Sequence, residues 1–169
     1  LSVFDAYHSP IHSGSLIVKI CHGNNYQTTS RFSETYAMDS EFTLSSFLRF
    51  GDKMRKKKGE LKKYLQKLKD EGKTIWAYGA PAKGNTLLCY EGIDSTLVDC
   101  AVEINDLKID NFLPVSNIPI VREDPSKYPD YYLLLSHNFE EEILKRNKKL
   151  LERGVKFIAP FPEIRVLEA

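Results

Sequence analysis

The stretch Lys73-Thr-Ile-Trp-Ala-Tyr-Gly-Ala-Pro-Ala-Lys-Gly-Asn-Thr-Leu-Leu-Cys-Tyr90 decides the fold. Thr74 to Tyr78 is a short apolar run of the kind that forms a strand buried on both faces. Gly79-Ala-Pro-Ala-Lys-Gly-Asn85 then turns the chain, and Thr86 to Tyr90 reads as a short helix entered from that loop. Downstream the pattern repeats. Leu97 to Val102, Ile118 to Val121, Tyr131 to Ser136 and Val155 to Ala159 read as strands, with Pro119 placing the second of these near a sheet edge. Phe139 to Arg153 reads as one helix, acidic at its start and basic toward its end, stopped by Gly154. Strands alternating with helices predict an α/β domain with a mostly parallel sheet and flanking helices over residues 73–169.

Upstream, Leu61, Tyr64, Leu65 and Leu68 share one helical face, and Gly72 supplies a stop. Phe42, Leu44, Phe47 and Leu48 form a second helical stretch, with Asp39 and Ser40 as candidate caps. Gly51 and Gly59 make this either one long helix or two abutting ones. Residues 23 to 39 are polar and read as a loop. Leu1 to Tyr7 and Ser15 to Cys21 flank a turn-rich segment and read as a β-hairpin. The expected organisation is a hairpin over 1–22, a linker and long helix over 23–72, and the α/β domain over 73–169.

Composition narrows the function classes. Lys and Arg number 24 against 23 Asp and Glu, so bulk charge does not point to nucleic acid. The run Arg55-Lys-Lys-Lys58 reads as a solvated helix face, because acidic residues flank it and no aromatic residues interleave. Cys21, Cys89 and Cys100 are widely spaced and include no CxxC pair, which suits reduced thiols in a cytoplasmic protein. No apolar run approaches the roughly 20 residues of a membrane span. His8, His12 and His22 lack metal-ligand spacing, so no metal is expected.

The candidate site lies at the carboxyl ends of the strands, where parallel α/β sheets bind ligands. After Tyr78, two glycines admit close backbone approach, Lys83 adds a cation, and the following helix offers free N–H groups to an anion. The spacing is neither GxGxxG nor a Walker loop, so a dinucleotide oxidoreductase is disfavoured. The alternative is a tight turn with an incidental lysine. Ser136-His-Asn138 also follows a strand. His137 is a candidate acid, base or hydroxyl partner, and Asn138 is a candidate helix cap. Asp99, Glu103, Asn105, Asp106 and Lys108 end or follow the second strand, where an acid can hold a ribose or simply terminate the strand.

Tyr78-Gly-Ala-Pro-Ala-Lys-Gly-Asn-Thr-Leu-Leu88, Ile118-Pro-Ile120, Pro129-Asp-Tyr-Tyr-Leu-Leu-Leu135 and His137-Asn-Phe-Glu-Glu-Glu-Ile143 together resemble the C-terminal domain of the sugar C-methyltransferases. Those enzymes methylate a carbon of a nucleotide-activated deoxysugar. His12-Ser-Gly-Ser-Leu16 resembles the segment that ends the family's central methyl-donor domain. The chain departs from the family pattern at Ser13, Ile17, Asp110 to Val115 and His137, where the family has glycine, arginine, a glycine-containing segment and tryptophan. The resemblance implies a Rossmann-like domain that positions a nucleotide sugar. It implies Gly79, Ala80, Lys83, Gly84, Asn85, His137 and Asn138 as substrate-binding residues, Lys83 near phosphate. It further implies that S-adenosylmethionine and the general base belong to a domain of the parent protein outside this chain, leaving the fragment inactive by itself. Residues 1–22 would then be a remnant hairpin of the methyl-donor domain, with open edges that invite strand-mediated self-association. The alternative function is a stand-alone nucleotide or nucleotide-sugar binding domain with no methyl transfer.

Overall fold

The structure, a computed structural model, describes residues 1–11, 14–38 and 42–169. The cap reading of Asp39 and Ser40, and the first two residues of the His12 to Leu16 segment, lie outside the described residues. The chain divides into two compact units, Leu1–Lys56 and Lys57–Ala169.

In the first unit, β1 (Ser2–Ser9) and β2 (Ser15–Cys21) form the expected antiparallel hairpin. The segment read as loop contains a helix, α1 (Ser30–Met38). Two interactions invisible to local pattern make it. Thr29 Oγ1 accepts the Phe32 N–H at 3.2 Å, capping the helix. The same hydroxyl donates to Asp5 Oδ1 at 2.6 Å, and Arg31 pairs with the other carboxylate oxygen. The side chain of Asp5 is only 2% exposed, and Lys19 lies 3.3 Å away. Thr35 Oγ1 also donates to the Ala6 carbonyl. Helix α2 (Leu44–Lys57) starts at Thr43, whose N–H and Oγ1 bond reciprocally with Ser46 Oγ and N–H. Its Phe47 and Leu48 stay exposed rather than forming a core face.

The second unit opens with α3 (Glu60–Asp70), separate from α2 across Gly59, so the two-helix alternative holds. Leu61, Leu65 and Leu68 are its buried face. Gly72, at φ 75°, ends it: Gly72 N–H returns to Lys69 and Lys73 N–H to Leu68. The remaining elements are β3 (Ile75–Tyr78), α4 (Ala82–Glu91), β4 (Cys100–Glu103), β5 (Ile120–Arg122), β6 (Tyr131–Leu134), a 3-10 turn (His137–Phe139), α5 (Glu140–Arg146), α6 (Lys148–Glu152), β7 (Lys156–Ala159) and β8 (Arg165–Leu167). They build a six-stranded sheet ordered β5-β4-β3-β6-β7-β8, parallel except for β8. The α/β expectation is met, including β5 at an edge with Pro119 using its carbonyl to take the Ala101 N–H. β8, which follows Pro160 and Pro162, adds an antiparallel edge strand beyond those expected.

Alternate strand residues face two cores. Ile75, Ala77, Ala101, Leu133 and Ile158 pack with Leu65 of α3 and Leu88 of α4. Tyr78, Val102, Tyr132, Leu134 and Phe157 pack with Ile143 of α5. Tyr132 and Phe157 stack with ring centroids 5.1 Å apart.

Three boundaries moved. Helix α4 begins at Ala82, inside the glycine loop, with Pro81 at its N-cap in an extended conformation. Leu97 and Val98 are buried in a turn rather than in the strand, and Asp99 precedes β4. Asp99 therefore lies at the amino end of the sheet, where it accepts the Ile75 N–H at 2.9 Å and meets Lys69 at 2.7 Å. The helix expected over Phe139 to Arg153 is broken at Asn147. Its side-chain Nδ2 bonds the Ile143 carbonyl at 2.8 Å and competes with regular helix.

Among the described residues, no helix is long and apolar enough to cross a membrane. None of them forms a group of three or more His, Cys, Asp or Glu side chains placed to hold a metal ion.

Candidate functional site

The chain runs from β3 outward to β4 and β5, then returns to place β6 on the other side of β3. This reversal opens a crevice at the carboxyl edge, between the loops that leave β3 and β6. A cleft of about 320 Å³ occupies it. Tyr78, Gly79 and Pro81 come from the β3 side, Ser136 and Phe139 from the β6 side, and Glu103 and Glu123 from the ends of β4 and β5.

Gly79 has φ 82°, a conformation open to glycine, and its N–H bonds the Val102 carbonyl at 2.9 Å. A Cβ there would collide with the hydroxyl of Ser136. Ala80 is buried and both its backbone groups are used: N–H to Glu103 Oε2 at 3.2 Å, carbonyl from Lys108 Nζ at 2.9 Å. Lys108 also meets Glu103 Oε2 at 3.3 Å. Burial works to raise the Glu103 pKa, but N–H bonds from Ile104, Asn105 and Ala80, with Lys108 beside them, hold it below the usual carboxylate value. Of the two readings of Glu103, its geometry is that of a clamp on the loop after β3.

A second network forms the opposite wall. Tyr78 Oη donates to Glu123 Oε1 at 3.1 Å and accepts from Asn147 Nδ2 at 3.0 Å. Arg146 Nη2 closes on Glu123 Oε2 at 2.6 Å. Burial raises the Tyr78 pKa, with Glu123 adding to it, so the phenol stays a donor.

The residues expected at the site are only partly brought together. Gly79 lines the cleft. Lys83 sits in the first turn of α4, exposed and without a hydrogen bond or ion pair among the described residues. Gly84 is buried under β6: a Cβ there would stand 2.6 Å from Leu135 Cβ. Asn85 is half-buried, and its Oδ1 has no hydrogen-bond partner among the described residues. His137 packs its ring 5.7 Å from that of Phe161. With Asn138 it lines a neighbouring depression, which shares Phe139 and Glu142 with the cleft. Sequence reading passed over Tyr78, Glu123, Ser136, Glu142 and Arg146 as site residues. Glu123 stands directly after β5 and Ser136 two residues past the end of β6, and that position is the signal that could have found them.

Residues 10–162 match the family model of the C-methyltransferase C-terminal domain. The C-methyltransferase NovU of Streptomyces niveus is 30% identical over 175 aligned positions, covering all of this chain and 42% of NovU. The chain thus spans less than half the length of that relative, and it belongs to the family of C-methyltransferase C-terminal domains.

Proposed function

We propose that this domain binds a nucleotide-activated sugar in the cleft at the carboxyl edge and positions it for methylation of a sugar carbon. One observation carries the reading: in a chain of this family, the cleft lies at the topological switch point, flanked by a helix N-terminus whose first turn holds a lysine unpaired among the described residues. Gly79 and Ala80 shape the loop, and Lys83 with the first N–H groups of α4 faces phosphate. Gly84 lets α4 lie close to β6, Asn85 offers its unpaired side-chain oxygen beside it, and His137 and Asn138 approach the sugar or base from the adjoining depression.

S-adenosylmethionine is assigned to another part of a longer protein. The cleft does not fit it well: Lys108 and Arg146, the cations lining the cleft, are both committed to carboxylates, leaving no counter-charge there for the methionine carboxylate. In this reading residues 1–22 are the last hairpin of the methyl-donor domain, 23–72 the connection, and 73–169 the substrate domain, all cytoplasmic. The exposed Leu16, Val18 and Ile20 along β2 support a parent sheet or a second copy as the hairpin's neighbour.

Calorimetric titration of glucose carried on uridine, thymidine, adenosine or guanosine diphosphate tests the reading. Binding of at least one is expected. Incubation of the chain with S-adenosylmethionine and the same sugars is expected to give no methylated product. Failure of every nucleotide sugar to bind removes the substrate-positioning role.

A further inference from the structure

The polar side chains lining the cleft divide into two sets. Tyr78, Glu103, Lys108, Glu123 and Arg146 are committed to one another or to neighbouring backbone and side chains. Ser136 and Glu142 are not: neither the Ser136 hydroxyl nor the Glu142 carboxylate makes a hydrogen bond or ion pair among the described residues. Both belong to the segment that leaves β6.

Charge divides the same way. Glu103 faces Lys108 at 3.3 Å and Glu123 faces Arg146 at 2.6 Å, so each of these carboxylates is neutralised on the spot. The residual charge of the cleft is that of Glu142. Much of the remaining wall is apolar, including Val102, Ile104 and Ile143. Gly79 belongs to this arrangement, because any side chain at that position would push the Ser136 hydroxyl aside.

An ionised carboxylate only accepts hydrogen bonds, whereas a serine hydroxyl donates and accepts. The group that satisfies both is an uncharged one carrying O–H donors. A phosphate would set like charge against Glu142, whereas an uncharged hydroxyl would not. We propose that Ser136 and Glu142 are the hydroxyl-recognition residues of this domain. Glu142 accepts from neighbouring hydroxyls of a sugar ring and Ser136 completes the contact, while the phosphates lie away from this wall. The inference rests on the nucleotide-sugar reading and names where in the cleft the sugar ring sits.

The test compares the whole 169-residue chain with Glu142→Gln and Ser136→Ala. Each is titrated with the four nucleoside diphosphate glucoses, and each is melted. Because neither side chain has a hydrogen-bond or ion-pair partner among the described residues, both variants are expected to melt with wild type. Glu142→Gln is expected to weaken binding about tenfold and Ser136→Ala about threefold, the scale of a charge-assisted and a neutral hydrogen bond. Repeating the titration with the nucleoside diphosphate alone separates the two rings. A deficit that persists assigns the hydroxyls to ribose, and one that vanishes assigns them to the hexose. Unchanged binding in Glu142→Gln overturns the proposal. So does tighter binding, which would mean that phosphate faces that charge, and so does a steep fall in melting temperature, which would make Glu142 a structural residue. If wild type binds none of the sugars, the nucleotide-sugar reading falls and this inference with it. If wild type binds and the variants match it, only this inference falls.

Discussion

Asn147 Nδ2 donates a 3.0 Å hydrogen bond to the hydroxyl of Tyr78, joining the break between α5 and α6 to the end of the strand that opens the cleft. Through that hydroxyl, Asn147 also helps to hold Glu123, and through Glu123 it steadies Arg146. Asn147 is 6% exposed, so its amide depends on protein partners. Asn147→Leu should cost about 1–3 kcal/mol, the penalty for stripping partners from buried polar groups. Urea unfolding measures it, and a loss well under that range would make the bond incidental.

Gly84 predicts a steric effect. A Cβ at this position would stand 2.6 Å from the Cβ of Leu135, and neither backbone has a flexible end to move aside. Gly84→Ala should destabilise the domain by about 1–3 kcal/mol through overpacking. Shortening the opposing side chain in Gly84→Ala with Leu135→Ala should restore less than half of that loss, because the Leu135 Cβ remains. Thermal melting of the single and double variants decides this.

Asp5 should make the hairpin unit sensitive to acid. The hydrogen bond from Thr29, aided by Lys19 and Arg31, holds its pKa below the usual aspartate value. A carboxylate depressed on folding contributes stability that is fully present above its unfolded pKa and is lost as pH falls through the folded value. Hydrogen exchange in α1 should therefore accelerate below about pH 4. Asp5→Asn should already exchange faster at neutral pH and show little further change on acidification. Equal protection of the two proteins at neutral pH would separate Asp5 from the docking of α1.

Lys83 is exposed and unpaired among the described residues, so its replacement should leave stability unchanged. Under the proposed function, Lys83→Ala should remove roughly 1–3 kcal/mol of nucleotide-sugar binding. The loss should shrink as salt rises, since a point charge in an exposed turn is screened. Calorimetry at two salt concentrations measures both effects. A variant that binds as well as wild type at low salt would leave Lys83 as a surface residue of a structural turn.

The sequence by itself determined the parallel strands β3 to β7 and the carboxyl edge at which the candidate site is placed. Ile75 to Tyr78 and Tyr131 to Leu134 are apolar on both faces, which suits interior parallel strands, and Gly72 and Gly154 end their helices as composition foretold. Local spacing carries such information because strand and helix periods are local properties. What only the tertiary structure decided was which polar groups are spent. Asp99, read among possible ribose partners, turned out to tie the amino end of β3 to α3. Thr29 became a helix cap in contact with Asp5, twenty-four residues away in sequence. The helix after β6 broke at Asn147, whose amide bonds both the Ile143 carbonyl and the Tyr78 hydroxyl. Glu103 and Glu142 are chemically alike in the sequence, yet one is filled by three N–H groups and a lysine while the other meets no protein donor among the described residues. Availability for a ligand is what remains after long-range hydrogen bonds are formed, and those depend on which chain segments the sheet order brings side by side.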